Sequence, residues 1–321
     1  MIASSGPKHV TRSHQRFIMA ESQSICISSH NVHGVADKTK FLHSRCHSNP
    51  LLIQCIQEHW LPPPFKKRAG TNALRSVHED FEGFATSAMK KSEENEIRCG
   101  RGFGGTGFIY PKSLSKNIRP LIKLNQDRIS VMELKCTEFN LVIINVYMPF
   151  LDRSDLQGAL SKYDETIGFI DFIMSENSDA QFVVLGDFNC NVYNPAHPFA
   201  TSLNDLIMSR NLVSTFSQMP SFDVNSTFTR HDARSKSLLD FVFVSQGIID
   251  SVTNVSIGNY HDNHSDHLPV EIELSLTIPN INGRDNNHTN NSNGIIWSKL
   301  TSLELEQFSS TIVYGNISRS Y

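Results

Sequence analysis

No apolar run in this sequence approaches the roughly 18 residues that a membrane-spanning helix needs, so a soluble chain with no membrane partner is expected. The opening MIASSGPKHVTRSHQRF has no apolar h-region, and a secretory signal is not expected. Cysteine is sparse. Cys26, Cys46, Cys55, Cys99, Cys136 and Cys190 are scattered with no CxxC pair, which argues against a disulfide scaffold or a thiolate zinc site. A reducing, intracellular compartment, nucleus or cytoplasm, fits that usage. A strong net charge is also missing: −3 over 321 residues does not mark a nucleic-acid binder by composition alone. Hydrophobic residues at 39% and charged residues at 19% are nonetheless compatible with a packed core and exclude wholesale disorder.

The charge that is present is unevenly placed. Residues 61–130 hold 13 Lys and Arg against 7 Asp and Glu, a balance of +6 that leaves −9 elsewhere. Such a field lets one side attract a polyanion while another gathers carboxylates. Residues 1–23 are polar and aperiodic and read as a disordered arm. The body, 24–278, carries short apolar or β-branched runs: 25–29, 51–56, 107–110, 129–134, 141–146, 182–185, 239–244, 252–257 and 270–276. Several (LVIINV, FVVL, FVFV) are solidly apolar, as strands covered on both faces are. Residues 156–174 and 202–210 have helical spacing, the second with Ser202 as its cap. Strands mixed with helices over this length predict an α/β domain with a large sheet or two stacked sheets. Residues 279–294 form an Asn-rich linker, and 295–321 a helical tail.

Polar or acidic residues recur where apolar strands end or begin. Asn31 follows the first run, Glu58 the second and Asp187-Phe188-Asn189 the run FVVL; Asp240 lies in the run LLDFVFV, and Asp266-His267 precede the last. Singly, each has an ordinary explanation, such as a solvated strand end, an Asx-turn at Asp187 and Asn189 or a satisfied core histidine. Together they point to chemistry, because strands hold such groups rigidly while loops leave them free to meet a ligand. Oxygen ligands without thiolates suit magnesium, or manganese, rather than zinc. Asp240 and His267 have the types of an Asp–His pair, in which the carboxylate fixes the imidazole and supports its charged form. A hard-metal site beside an imidazole suits phosphate-ester hydrolysis.

In chain order the sequence contains SHNVHG (29–34), IQEHWL (56–61), GRGFGGTGFIY (100–110), NVYMP (145–149), LGDFN (185–189), STFT (226–229), SLLDFVFVS (237–245) and SDHLPV (265–270). In these words the chain resembles the endonuclease/exonuclease/phosphatase superfamily over about 24–278, and most of all the apurinic-like endonuclease domain of non-LTR retrotransposons. The tail IIWSKLTSLELEQF resembles the tether that leads towards a reverse transcriptase. The resemblance implies a DNase I-like, four-layer sandwich: two mixed β-sheets face to face, helices outside. It implies a magnesium-dependent endonuclease that nicks one strand of duplex DNA and leaves a 3′-hydroxyl, with no obligate protein partner. Glu58 and Asn31 would be at the metal, with Asp266 completing the metal and histidine network. Tyr147 would contact the scissile phosphate, Asp187 would activate water or protonate the leaving oxygen, and Asn189 would orient nucleophile and phosphate. Asp240 would orient His267, with Thr227 as its hydrogen-bond support and Arg101 available for a phosphate.

One departure bears on substrate. After Tyr147-Met148-Pro149 the abasic-site repair enzymes usually carry Asn, and here Phe150 stands, which removes a phosphate-contacting amide. Two other expectations compete with the leading one: the same fold acting on an inositol phosphate, sphingomyelin or RNA, and a non-catalytic nucleic-acid-binding remnant. Gly100 to Gly105 satisfies GxGxxG by letter, but a strand follows it and not a helix, so a dinucleotide site is rejected. His43, Cys46 and His47 read as a helical surface, with no fourth metal ligand near them in sequence.

Overall fold

The computed structural model of the protein describes residues 22–62, 70–88, 103–121 and 128–279. Most of the N-terminal arm, most of the Asn-rich linker, the tail, Arg101 and the basic residues Lys66, Lys67, Arg68, Lys90 and Lys91 lie outside the described residues.

All nine apolar runs are strands. In chain order the strands are β1 (Ser22–Asn31), β2 (Leu52–Gln57), β3 (Phe81–Ala85), β4 (Thr106–Pro111), β5 (Ile118–Pro120), β6 (Ile129–Lys135) and β7 (Asn140–Tyr147). They continue with β8 (Gln181–Asp187), β9 (Leu212–Ser214), β10 (Arg230–His231), β11 (Lys236–Ser237), β12 (Asp240–Ser245), β13 (Val252–Ile257) and β14 (Val270–Thr277). The helices are α1 (Thr39–Ser48), α2 (Leu156–Glu176) and α3 (Ala200–Ser209). Ser202 does not cap α3. Phe199 occupies that position without a side-chain bond, and the Ser202 hydroxyl donates to Asp164 of α2 at 2.6 Å, so its hydroxyl ties two helices together instead.

Twelve of these strands form two mixed six-stranded sheets, and β10 and β11 pair with each other as a separate antiparallel ribbon. One runs β13-β14-β1-β2-β4-β3, the other β5-β6-β7-β8-β12-β9. Each has one parallel pair near its middle, β1 with β2 and β7 with β8; its other pairings are antiparallel. A parallel pair needs a crossover, and α1 and α2 supply the two. The sheets face each other through β1 and β2 against β7 and β8. Their facing side chains form one core that includes Ile25, Ile27, Ile53, Met132, Ile143 and Val183, all fully buried. The far faces are covered as well: Phe41, Leu42 and Cys46 of α1 pack on Leu52, Ile56 and Ile109, and Tyr163 of α2 stacks on Phe199 at 4.0 Å. Covering on both faces explains why the central strands show no alternation, and each buried Ile or Val contributes roughly 1.5–3 kcal/mol. The result is an α/β sandwich of four layers.

A polar link inside this core sets how the sheets meet. The Asn145 amide of β7 donates to the carbonyls of Ile56 (3.1 Å) and Gly107 (2.9 Å), and Gln57 donates to Asn145 Oδ1 at 2.7 Å. Buried polar groups that satisfy one another favour a single arrangement over slipped alternatives. This link lies one residue before Glu58 on one sheet and two before Tyr147 on the other.

Gly186 is required for the close approach of β8 to β7. Its φ is +145°, and a Cβ there would stand 1.9 Å from the Val146 carbonyl oxygen. Gly186→Ala is expected to destabilise the protein by more than about 3 kcal/mol, since both backbone strain and a backbone clash must be relieved. Chemical denaturation of the purified variant checks this; a midpoint equal to wild type would contradict it.

Candidate active site

The topology collects polar groups at one end of the sandwich. Asn31, Glu58, Tyr147 and Asp187 all stand at or just after the carboxyl ends of the two parallel pairs. β12 runs antiparallel to β8 and begins there, with Asp240 opposite Asp187. β14 runs antiparallel to β1, so the segment entering it brings His267 to the same end. Ser265 fastens that segment: its hydroxyl donates to the Asn31 carbonyl at 2.6 Å and accepts from the His267 N–H at 3.1 Å.

At the centre, His267 Nδ1 lies 2.8 and 3.1 Å from the two Asp240 oxygens, and its Nε2 faces Asp187 Oδ2 at 3.9 Å. All three side chains are buried. Burial opposes charge on the imidazole, but Asp240 and Asp187 outweigh it and raise the pKa of His267 to about 10, so the ring is an imidazolium at neutral pH. Burial pushes the Asp187 carboxyl up, while the nearby imidazolium pulls it down; the net direction is up. The Thr229 hydroxyl donates to Asp240 Oδ2 at 2.7 Å and accepts the Asp240 N–H, fixing the carboxylate before it meets the ring.

Asn31 joins this centre to Glu58. Its amide donates to Glu58 Oε1 and to Asp187 Oδ2, both at 2.9 Å, and its Oδ1 accepts the His33 N–H. Glu58 is half-buried, and its other oxygen accepts from Trp60 Nε1 at 3.1 Å. Tyr147 also bonds Glu58. Burial, then the Glu58 and Asp187 charges, hold its hydroxyl well above the usual phenol range, so it stays a donor. Asp187 Oδ1 accepts the Asn189 N–H at 2.9 Å in an Asx-turn, and the Asn189 amide donates to the Met148 carbonyl at 2.9 Å.

Backbone strain is concentrated in these segments. His33, Glu58, Trp60 and Asn189 have φ between +48° and +59°, and among the described non-glycine residues only Asn211 shares that region. Such strain persists where surrounding contacts over-determine a position. Here Gly34 and Gly105 leave room for the loop: a Cβ on Gly34 would meet the Trp60 indole at 2.2 Å, and one on Gly105 the His59 ring at 2.5 Å. The glycine-rich turn thus backs the Glu58 loop, and the Trp60 N–H bonds the Gly104 carbonyl at 3.1 Å.

The structure therefore brings together Asn31, Glu58, Tyr147, Asp187, Asn189, Asp240 and His267. It departs from the sequence reading at two positions. Thr227 is not the support of Asp240: its N–H and hydroxyl close a turn with Asp223, and Thr229, two residues on, takes that place. Asp266 does not join the central group. Asp266 lies in the bend before His267, and its carboxylate pairs with Arg230 Nε at 2.9 Å and His33 Nδ1 at 3.2 Å. Ser265 belongs to the polar group that precedes the last strand in sequence, but its bonds to Asn31 and His267, like those of Thr229 to Asp240, are made only by the fold, since neither residue type announces its partner.

Asp187, Asp240 and His267 offer ligand atoms within 4.8 Å of one another, close enough to hold a metal ion. Two of the three already bond each other, so the donors best placed for a hard cation are the Asp187 carboxylate and the half-buried Glu58, which converge on one amide. Two carboxylates at one amide, with Asp187 pushed towards protonation by burial, fit a divalent cation with oxygen ligands.

A family described as endonuclease-reverse transcriptase matches residues 141–271. No curated protein matches the sequence. Similar solved structures include an AP endonuclease from Leishmania major (TM-score 0.64, 15% identity, 78% of this chain and 88% of that one). The catalytic domain of APE2 from Xenopus laevis is similar with a TM-score of 0.61, 15% identity, and 80% and 94% coverage. The endonuclease domain of TRAS1, a telomere-specific non-LTR retrotransposon, is similar with a TM-score of 0.55, 14% identity, and 79% and 100% coverage. At such identities the likeness concerns the fold.

Proposed function

We propose that the chain belongs to the endonuclease/exonuclease/phosphatase superfamily and is a divalent-cation-dependent phosphodiesterase that nicks one strand of duplex DNA, leaves a 3′-hydroxyl and derives from a retrotransposon. The observation that carries the chemistry is the buried Asp240–His267–Asp187 line ending beside the carboxylate of Glu58. The endonuclease-reverse transcriptase family match and the motif words favour the retrotransposon origin.

Glu58 is the principal metal ligand in this reading, with Asn31 and Asp187 beside it; a magnesium or manganese ion there supplies charge that neutralises the phosphate and the leaving oxygen. Asp240 and Thr229 hold the His267 ring so that Nε2 faces the reacting phosphate as a charged donor. Asp187 takes the proton of the attacking water or delivers one to the departing 3′-oxygen; its raised pKa suits either role. Tyr147 donates its hydroxyl hydrogen to a phosphate oxygen, and Asn189 orients nucleophile and phosphate. Water adds to phosphorus, the P–O3′ bond breaks, and the products are a 3′-hydroxyl and a 5′-phosphate. Phe150, 59% exposed, stands where repair enzymes present an amide, so intact duplex should compete well with abasic duplex. Arg101 and the basic segment would serve backbone phosphates, making binding salt-dependent.

Supercoiled-plasmid nicking with magnesium, manganese or EDTA tests the reading. Nicked circles carrying 3′-hydroxyl ends are expected with either metal and none with EDTA, with intact duplex preferred over RNA and inositol phosphates. Full activity in EDTA, 3′-phosphate ends, a strong abasic preference, or turnover confined to another phosphate would overturn it.

A further inference from the structure

A second group of metal-ligand side chains lies apart from the strand-end site. His43 and His47 are four residues apart on α1, hence on one helix face, with rings parallel to within 7° and centroids 6.4 Å apart. The fold brings a third imidazole to them. His78, from the loop between a short 3-10 turn (Gly70–Ser76) and β3, stands 4.7 Å from His43 and 6.0 Å from His47 between ring centroids. We propose that His43, His47 and His78 form a site for a transition-metal cation of the zinc, nickel or copper class, clamping α1 to the segment that enters β3.

Paired histidines at this helical spacing can chelate one ion, and imidazole suits zinc, copper and nickel while the hard-oxygen site suits magnesium. The three ring centroids lie within 6.4 Å of one another, while their ring nitrogens do not yet converge as closely as the ligand atoms of Asp187, Asp240 and His267, so closing the site needs a turn of the exposed His43 and His47 rings. His78 is held in place by its surroundings, being buried with its ring edge-on to Phe81 at 5.3 Å. Its Nδ1 accepts the Asp80 N–H at 3.1 Å, so coordination costs that bond, because a neutral imidazole has one lone pair. Asp80 is exposed, and water takes over its amide. His43 and His47 are exposed. The one cation between them in sequence does not oppose an ion: Arg45 points to another face, bonded to Glu271 and lying 4.3 Å over the Tyr260 ring. His47 lies in the last turn of α1, where the helix dipole favours positive charge.

The test is zinc titration of the untagged, chelator-stripped full chain by calorimetry, in excess magnesium. Thermal melting with and without zinc is measured in parallel. One high-affinity zinc per chain and a raised melting temperature are expected, since a ligand of the folded state stabilises it. His43→Ala, His47→Ala and His78→Ala should each weaken zinc binding by at least the roughly tenfold that loss of even an outer-shell partner costs. Each should also lose the zinc-induced melting shift. If a variant fails to fold, the Gln substitution at the same position replaces it. Zinc affinity unchanged in the His43→Ala/His47→Ala double variant overturns the site. Unchanged affinity in His78→Ala overturns the three-histidine assignment.

Discussion

Glu58→Gln is expected to reduce single-turnover nicking about a thousandfold while leaving the fold intact. A cation that neutralises phosphate charge supplies several kcal/mol of transition-state stabilisation, and each 1.36 kcal/mol is about tenfold in rate. Gln keeps the length of the side chain and can still accept from Asn31 or Trp60, so the loss should fall on the charge and not on packing. The half-exposed position argues that melting will change by no more than the roughly 0.5 kcal/mol typical of surface substitutions. Rates across a magnesium series and thermal melts of both proteins decide it. A variant that nicks at the wild-type rate with unchanged magnesium dependence removes Glu58 from the metal.

The same residue shows what could be read from sequence alone. Glu58 was visible because an apolar run ends abruptly in polar residues, and Asn31 and Asp187 for the same reason. The central strands were legible because burial on both faces leaves solid runs such as LVIINV. β3, β5 and β9 were not: they are short, only partly buried and spell FEGFA, IRP and LVS, with no period to detect. Thr227 misses Asp240 because it closes a turn at Asp223 whose hydrogen bonds exist only in the folded chain. Asp266 and His267 are neighbours in a motif, yet the bend at Ser265 and Asp266 leaves one paired with Arg230 and the other in the site. His78 is far from His43 and His47 in sequence, and only the packing of α1 near β3 makes them a group.

Asp240 and His267 should behave as one unit. The carboxylate both orients the ring and holds its charge, so removing either partner ends the same function. Asp240→Asn and His267→Ala are each expected to lower single-turnover nicking by roughly a thousandfold or more, and the double variant to be little worse than the weaker single. Thr229→Val removes the hydroxyl that donates to the Asp240 carboxylate and accepts the Asp240 and Leu239 N–H groups, and a loss of at least about tenfold is expected, since the bond to the carboxylate alone is worth roughly 1.5 kcal/mol. A measurement on the ring separates this from simple loss of structure. In wild type, NMR titration should find the His267 imidazole charged at neutral pH, with its pKa near 10. In Asp240→Asn the supporting charge is gone while burial remains, so the ring should titrate at lower pH. Multiplicative losses in the double variant, or an unmoved titration in Asp240→Asn, would mean that the two residues do separate work and that Asp187, not Asp240, governs the imidazole.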